Sequence, residues 1–116
     1  MSFNLFIIKS PSYMGRSHLE TLEALMSIGL FEIEHRVVFF ESGISWLLTG
    51  QKPEHEKSIE KQLNALPMYG IEHLHYVTEQ AQSQYSGQLL NKNATPISED
   101  DLISWMCEAQ HIEVLG

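Results

Sequence analysis

Cysteine and positive charge are both scarce in this chain of 116 residues. Cys107 is its one cysteine, which excludes an internal disulfide and makes the cytoplasm the expected location. Seven Lys and Arg stand against fifteen Asp and Glu, a formal net charge of −8. Nucleic-acid affinity comes largely from basic side chains neutralising phosphates, and no basic cluster exists here, so direct contact with RNA or DNA is not expected. Anionic membrane surfaces are disfavoured for the same reason. No apolar run approaches the ~20 residues that a spanning helix needs, and the N-terminus lacks the basic start and small-residue cleavage site of a signal peptide. There is no Gly-rich phosphate loop and no G-x-S-x-G turn.

What is present is globular composition, 43% hydrophobic and 19% charged, without repeats or low-complexity tracts. The length suits a single domain over residues 1–116, burying roughly two-thirds of its unfolded surface. The stretch Val37 to Pro53 organises it. Val37 to Phe40 has no polar interruption and predicts a strand buried on both faces, as in a parallel sheet covered by helices. Glu41-Ser42-Gly43 breaks the run, and Ile44 to Leu48, apolar nearly all round, predicts a short helix with Gly50 as its cap. Such a helix needs cover on both sides, from its own domain or from a partner subunit.

Leu5 to Ile8 predicts a first strand, stopped by Ser10-Pro11. Ser17-His18-Leu19-Glu20 has the form of a capping box, followed by the stripe Leu19, Leu22, Leu25 and Met26, with Gly29 as the stop. Pro53, Glu54 and Glu56 form an acidic helix start, and Ile59, Leu63 and Leu66 continue that helix up to Pro67. Ile71 to Thr78 predicts a third strand and Glu79 to Ser86 a polar helix. A weak fourth strand is expected near Leu89-Leu90 or Ala94. Ser98-Glu99-Asp100-Asp101 opens a last helix whose stripe is Leu102, Ile103, Met106 and Ala109, and Ile112 to Leu115 closes as a strand. Strands alternating with helices imply right-handed crossovers and an α/β fold, a three-layer α/β/α sandwich with a mostly parallel sheet of about five strands. Working groups in such sheets sit where strands end, here Ser10 to Arg16, Glu41 to Gly43 and Thr78 to Gln80.

The six histidines raise a metal hypothesis. His73 and His75 share a strand face, but two ligands are too few, and His18, His35, His55 and His111 are scattered; no metal and no cofactor are expected. Cys107 falls late in the last helix, where the negative dipole end and Glu108 both disfavour a thiolate, and four residues after Ile103 it is expected to pack as an inert thiol. Glu41 and Ser42 are expected to shape their turn by accepting local N–H bonds.

The segments Phe39-Phe40-Glu41-Ser42-Gly43-Ile44, Leu47-Leu48-Thr49-Gly50-Gln51-Lys52-Pro53 and Tyr69-Gly70-Ile71-Glu72 resemble the DsrE/DsrF-like family, most closely its TusC (DsrF) branch. The resemblance runs over nearly the whole chain and implies a DsrEFH-like subunit of a sulfur-relay complex, assembled with TusB-like and TusD-like paralogues as a dimer of heterotrimers. In that relay a TusD-type cysteine takes persulfide sulfur from a TusA-like protein and passes it to a TusE-like one, toward 2-thiouridine at the tRNA wobble position. A related DsrF-like assembly serves sulfur oxidation. The family's reactive cysteine follows the third strand, and by that likeness Thr78 stands at or next to its position here. Threonine forms no persulfide, so the implied role is structural, with Thr78 capping the helix after it. Trp46, Leu47 and Leu48 are candidates for the subunit interface, the alternative being that they fold back over their own sheet. The competing functional class is a stand-alone flavodoxin-like domain that binds a small ligand.

Overall fold

Strands with no polar face must be covered on both sides, and the computed structural model shows how this chain does it. The structure describes residues 3–9, 16–30, 34–48, 63–71, 73–85, 90 and 93–115. Five strands, β1 (Asn4–Ile8), β2 (His35–Phe39), β3 (Leu74–Val77), β4 (Ala94–Ile97) and β5 (His111–Val114), make one sheet in the order β4-β3-β2-β1-β5. Every pairing is parallel. The helices are α1 (Arg16–Leu30), α2 (Thr78–Gln84) and α3 (Glu99–Glu108), with 3₁₀ segments at Glu41–Leu47 and Leu66–Tyr69.

The chain adds β2, β3 and β4 in one direction from β1 and then returns to lay β5 on the other side of β1. Because parallel crossovers are right-handed, reversing direction sends the last helix to the opposite face of the sheet. The core records this. Leu22, Leu25 and Ile28 of α1, Ile44, Trp46 and Leu47, and Ala81 of α2 pack with Phe6, Val37, Phe39 and Leu74 on one face. Leu102 of α3, with Trp105 and Ala109 against it, packs with Leu5, Ile7, Val38 and Val77 on the other. The three-layer α/β/α sandwich expected from the sequence is the fold.

Several local expectations change. Helix α1 is already helical at Arg16 and runs through Gly29 to Leu30, so Ser17 is inside it and not its cap. The break at Glu41-Ser42-Gly43 is itself helical: the 3₁₀ segment starts at Glu41, earlier than the expected Ile44. Gly43 is required there, since a Cβ would fall on the Ile8 carbonyl oxygen. The fourth strand forms at Ala94–Ile97, and Leu90 makes only an isolated antiparallel bridge with Leu48. Residues 63–65 are helical and the 3₁₀ segment that follows carries Pro67 in its first turn. Gly70 ends it in the left-handed region, φ 91°, which glycine alone adopts freely. Gly50, Pro53 and Ile59 lie outside the described residues. The expected stripe on α3 is only partly buried: Leu102 is covered, but Ile103 and Met106 are 60% and 43% exposed. The capping box at Ser98 forms as expected, Ser98 Oγ accepting from the Asp101 N–H at 3.0 Å and Asp101 Oδ2 accepting from the Ser98 N–H at 3.1 Å.

Candidate functional site at the sheet's switch point

Strands β3 and β4 are neighbours, yet α2 leaves β3 toward one face and α3 leaves β4 toward the other. The crevice between their ends, bordered by Thr78 and Ser98, is the topological switch point where ligands and reactive groups of open α/β sheets gather. The loop after β2 meets it as well: the Glu41 N–H donates to Gln80 Oε1 at 2.7 Å. Across the crevice the Glu99 N–H donates to Glu79 Oε2 at 3.0 Å.

Two of the three loops singled out from the sequence therefore converge, while most of the third, 10–15, lies outside the described residues. Their polar groups hold backbone. Glu41 sits at φ 51°, unusual for a residue with a Cβ, and its N–H is tied to Gln80. Ser42 is exposed and accepts nothing that accounts for the turn, so the expected local bonds are replaced by the one from Gln80. Thr78 is half-buried as the first residue of α2; the cap is Val77, whose side chain accepts no hydrogen bond, so Thr78 does not play the expected capping part. No thiol stands at this edge among the described residues.

Cys107 is in the last turn of α3, exposed rather than packed. It does share a side of the helix with Ile103, but that side faces solvent; the packing side is Leu102, Trp105 and Ala109. Nine residues of helix place it about 13 Å from Ser98, toward the opposite end of the sheet. Trp46 and Leu47 are 2% and 1% exposed within the single chain, Trp46 lying 6.4 Å from the Phe39 ring, centroid to centroid, and Leu48 is half-buried.

A second concave feature, a cleft of about 470 Å³, opens beside the starts of β2 and β3. Histidines that look scattered in sequence meet there: the His35 and His73 rings are 5.6 Å apart, and His75 meets Trp105 edge-on at 4.8 Å. Burial first, then the nearby His73 and Arg36 charges, push the His75 pKa from 6.5 down to about 4, opposed by a hydrogen bond with the Thr95 backbone. Among the described residues no three His, Cys, Asp or Glu side chains are placed to hold a metal ion. The side chain of His18 and all of His55 lie outside the described residues.

No model of a known family matches the chain. Its sequence is 35% identical over 78 residues to the protein TusC homolog of Pseudomonas aeruginosa, a match covering 65% of this chain. The matched stretch spans 66% of that relative's length, a little under two thirds. Its fold matches the crystal structure of the ychN protein from E. coli with a TM-score of 0.81 over 98% of this chain and 99% of that one, at 16% identity. The five-stranded parallel sheet, the match in fold and the similarity to a TusC homolog agree with the motif resemblance to the DsrE/DsrF-like family and its TusC branch.

Proposed function

We propose that the chain is a non-catalytic structural subunit of a heteromeric sulfurtransferase complex, assembled in the cytoplasm with TusB-like and TusD-like paralogues. It supports persulfide transfer between TusA-like and TusE-like proteins toward 2-thiouridine in tRNA. The observation that carries this reading is Thr78 as the first residue of α2 at the switch point. A relay cysteine needs a lowered pKa to attack as thiolate, and a helix start at a strand end supplies it. A hydroxyl, unlike a thiolate, forms no persulfide there. The carboxylate of Glu79 and the amide of Gln80 are engaged by backbone N–H groups, a holding task and not a reactive one.

A subunit of this kind needs docking surface, and the second face of the sheet offers it. Ile112 and Val114 on edge strand β5 are in register with Leu5 and Ile7, hence on the α3 side, and are 39% and 51% exposed. With Ile103 and Met106 on α3 they leave apolar surface uncovered in the single chain. The test is co-expression with TusB-like and TusD-like chains, followed by native mass measurement and a sulfur-transfer assay. A stable heteromer whose transfer survives Cys107→Ser supports the reading. A chain that stays apart, or that loads and passes sulfane sulfur by itself through Cys107, overturns it.

A further inference from the structure

The cleft beside the starts of β2 and β3 has no part in the relay reading, and its chemistry is specific. Arg36 is half-buried, with its guanidinium carbon 4.0 Å from the centroid of the Phe3 ring and 4.5 Å from that of the Trp105 ring. Ring contacts use the faces of a guanidinium and leave its N–H groups, which lie in its plane, available for bonds. Those two rings are the contacts the structure gives Arg36; among the described residues no oxygen accepts from it. A planar fork of donors suits a carboxylate or a phosphate bound side by side, and the aromatic rings that hold it favour the carboxylate of a molecule with an apolar body. Glu34 is at the cleft but forms no ion pair with Arg36.

The rest of the lining limits the ligand further. Phe3 and Trp105 give the cleft apolar walls, and His75, neutral at physiological pH, adds a ring edge-on to Trp105. A space of about 470 Å³ falls in the size class of small-molecule sites and is far more than a single water molecule needs. We infer that this cleft is a binding site for a small organic acid, whose carboxylate pairs with Arg36 and whose apolar body lies against Trp105 and Phe3.

The test uses the full chain and benzoate as probe, with acetate and inorganic phosphate as comparisons, followed by NMR of the Trp105 indole N–H. Benzoate should give a saturable shift, with acetate and phosphate at least ten-fold weaker. Arg36→Met keeps the stem and removes the fork, and should weaken benzoate at least ten-fold while the spectrum stays folded. Glu34→Gln removes the negative charge that lines the cleft among the described residues, from an exposed position, and should tighten benzoate several-fold; it answers the question if the Arg36 variant does not fold. No saturable shift, phosphate binding as tightly as benzoate, or a Glu34 variant that binds no better would overturn the assignment. None of these outcomes touches assembly with TusB-like chains, so the two readings fail separately.

Discussion

Gln80 Oε1 accepts the Glu41 N–H at 2.7 Å, and so the start of α2 clamps the turn after β2 in a left-handed conformation, φ 51°. Such a conformation costs a residue with a Cβ on the order of 1 kcal/mol, which the clamp offsets. Gln80→Ala should therefore lower stability by about 1 kcal/mol, and Glu41→Gly, which removes the strain but not the N–H, should leave it level or slightly raised. Urea titrations of the two variants measure this. A Glu41→Gly protein less stable than Gln80→Ala would show that the clamp is not what holds the turn.

Gly43 marks where the same turn passes against the end of β1. A Cβ at this position meets the Ile8 carbonyl, main chain that cannot step aside. Gly43→Ala should destabilise by more than about 2 kcal/mol, the range of strained or overpacked sites. The measurement is the midpoint of thermal unfolding; a shift within error of wild type would mean that the 3₁₀ segment is free to move off the strand.

Trp46 separates fold from assembly. At 2% exposed and packed with Phe39, it belongs to the domain's own core. Trp46→Ala should cost about 3–5 kcal/mol, a large part of the stability of a small domain. The variant should unfold at markedly lower urea as an isolated chain, before any partner is added. Unchanged stability of the lone chain would mean that the indole is not packed in this core.

How much of this was legible depended on how locally each feature is encoded. β1 and β2 are uninterrupted apolar runs and could be read directly. β4 was obscured by Pro96, which lacks an N–H, yet as an edge strand β4 pairs only with β3 and tolerates it. The stripe on α3 was read as buried because Ile103 and Met106 are apolar, but one helix lies over that face among the described residues, and only the Leu102–Trp105–Ala109 side meets the sheet. The histidine cleft was missed because its parts come from different strands. Aligning the apolar runs of β2 and β3, where Val37 pairs with Leu74, would have set the residues before them side by side.

His75 gives the fold a pH dependence of known sign. Its pKa in the folded chain is lowered to about 4 from 6.5, chiefly by burial. Between those values the unfolded chain binds a proton that the folded one refuses, so this contribution is fully present above about pH 6.5 and is lost as pH falls toward 4. Because His75 is only partly buried, solvent screening keeps the loss below what the full shift would give. His75→Gln should flatten the fall in urea midpoint between pH 7 and pH 4.5 relative to wild type. Parallel slopes for the two proteins would remove His75 as its source.

The exposed apolar residues on α3 and β5 should matter to association and not to folding. Ile103 and Val114 are 60% and 51% exposed, so replacing either with a charge removes little packing, and surface substitutions of this kind usually stay within about 0.5 kcal/mol. In a subunit contact the same charge would be buried without a partner and would cost several times as much. Ile103→Glu and Val114→Lys should leave the urea midpoint of the lone chain nearly unchanged while reducing recovery of co-expressed TusB-like and TusD-like chains at least ten-fold. Cys107→Ser, exposed on the same helix, serves as the control that should leave both unchanged. If the charged variants hold their partners as tightly as wild type, the docking surface lies elsewhere. If they unfold the lone chain, these side chains belong to its core.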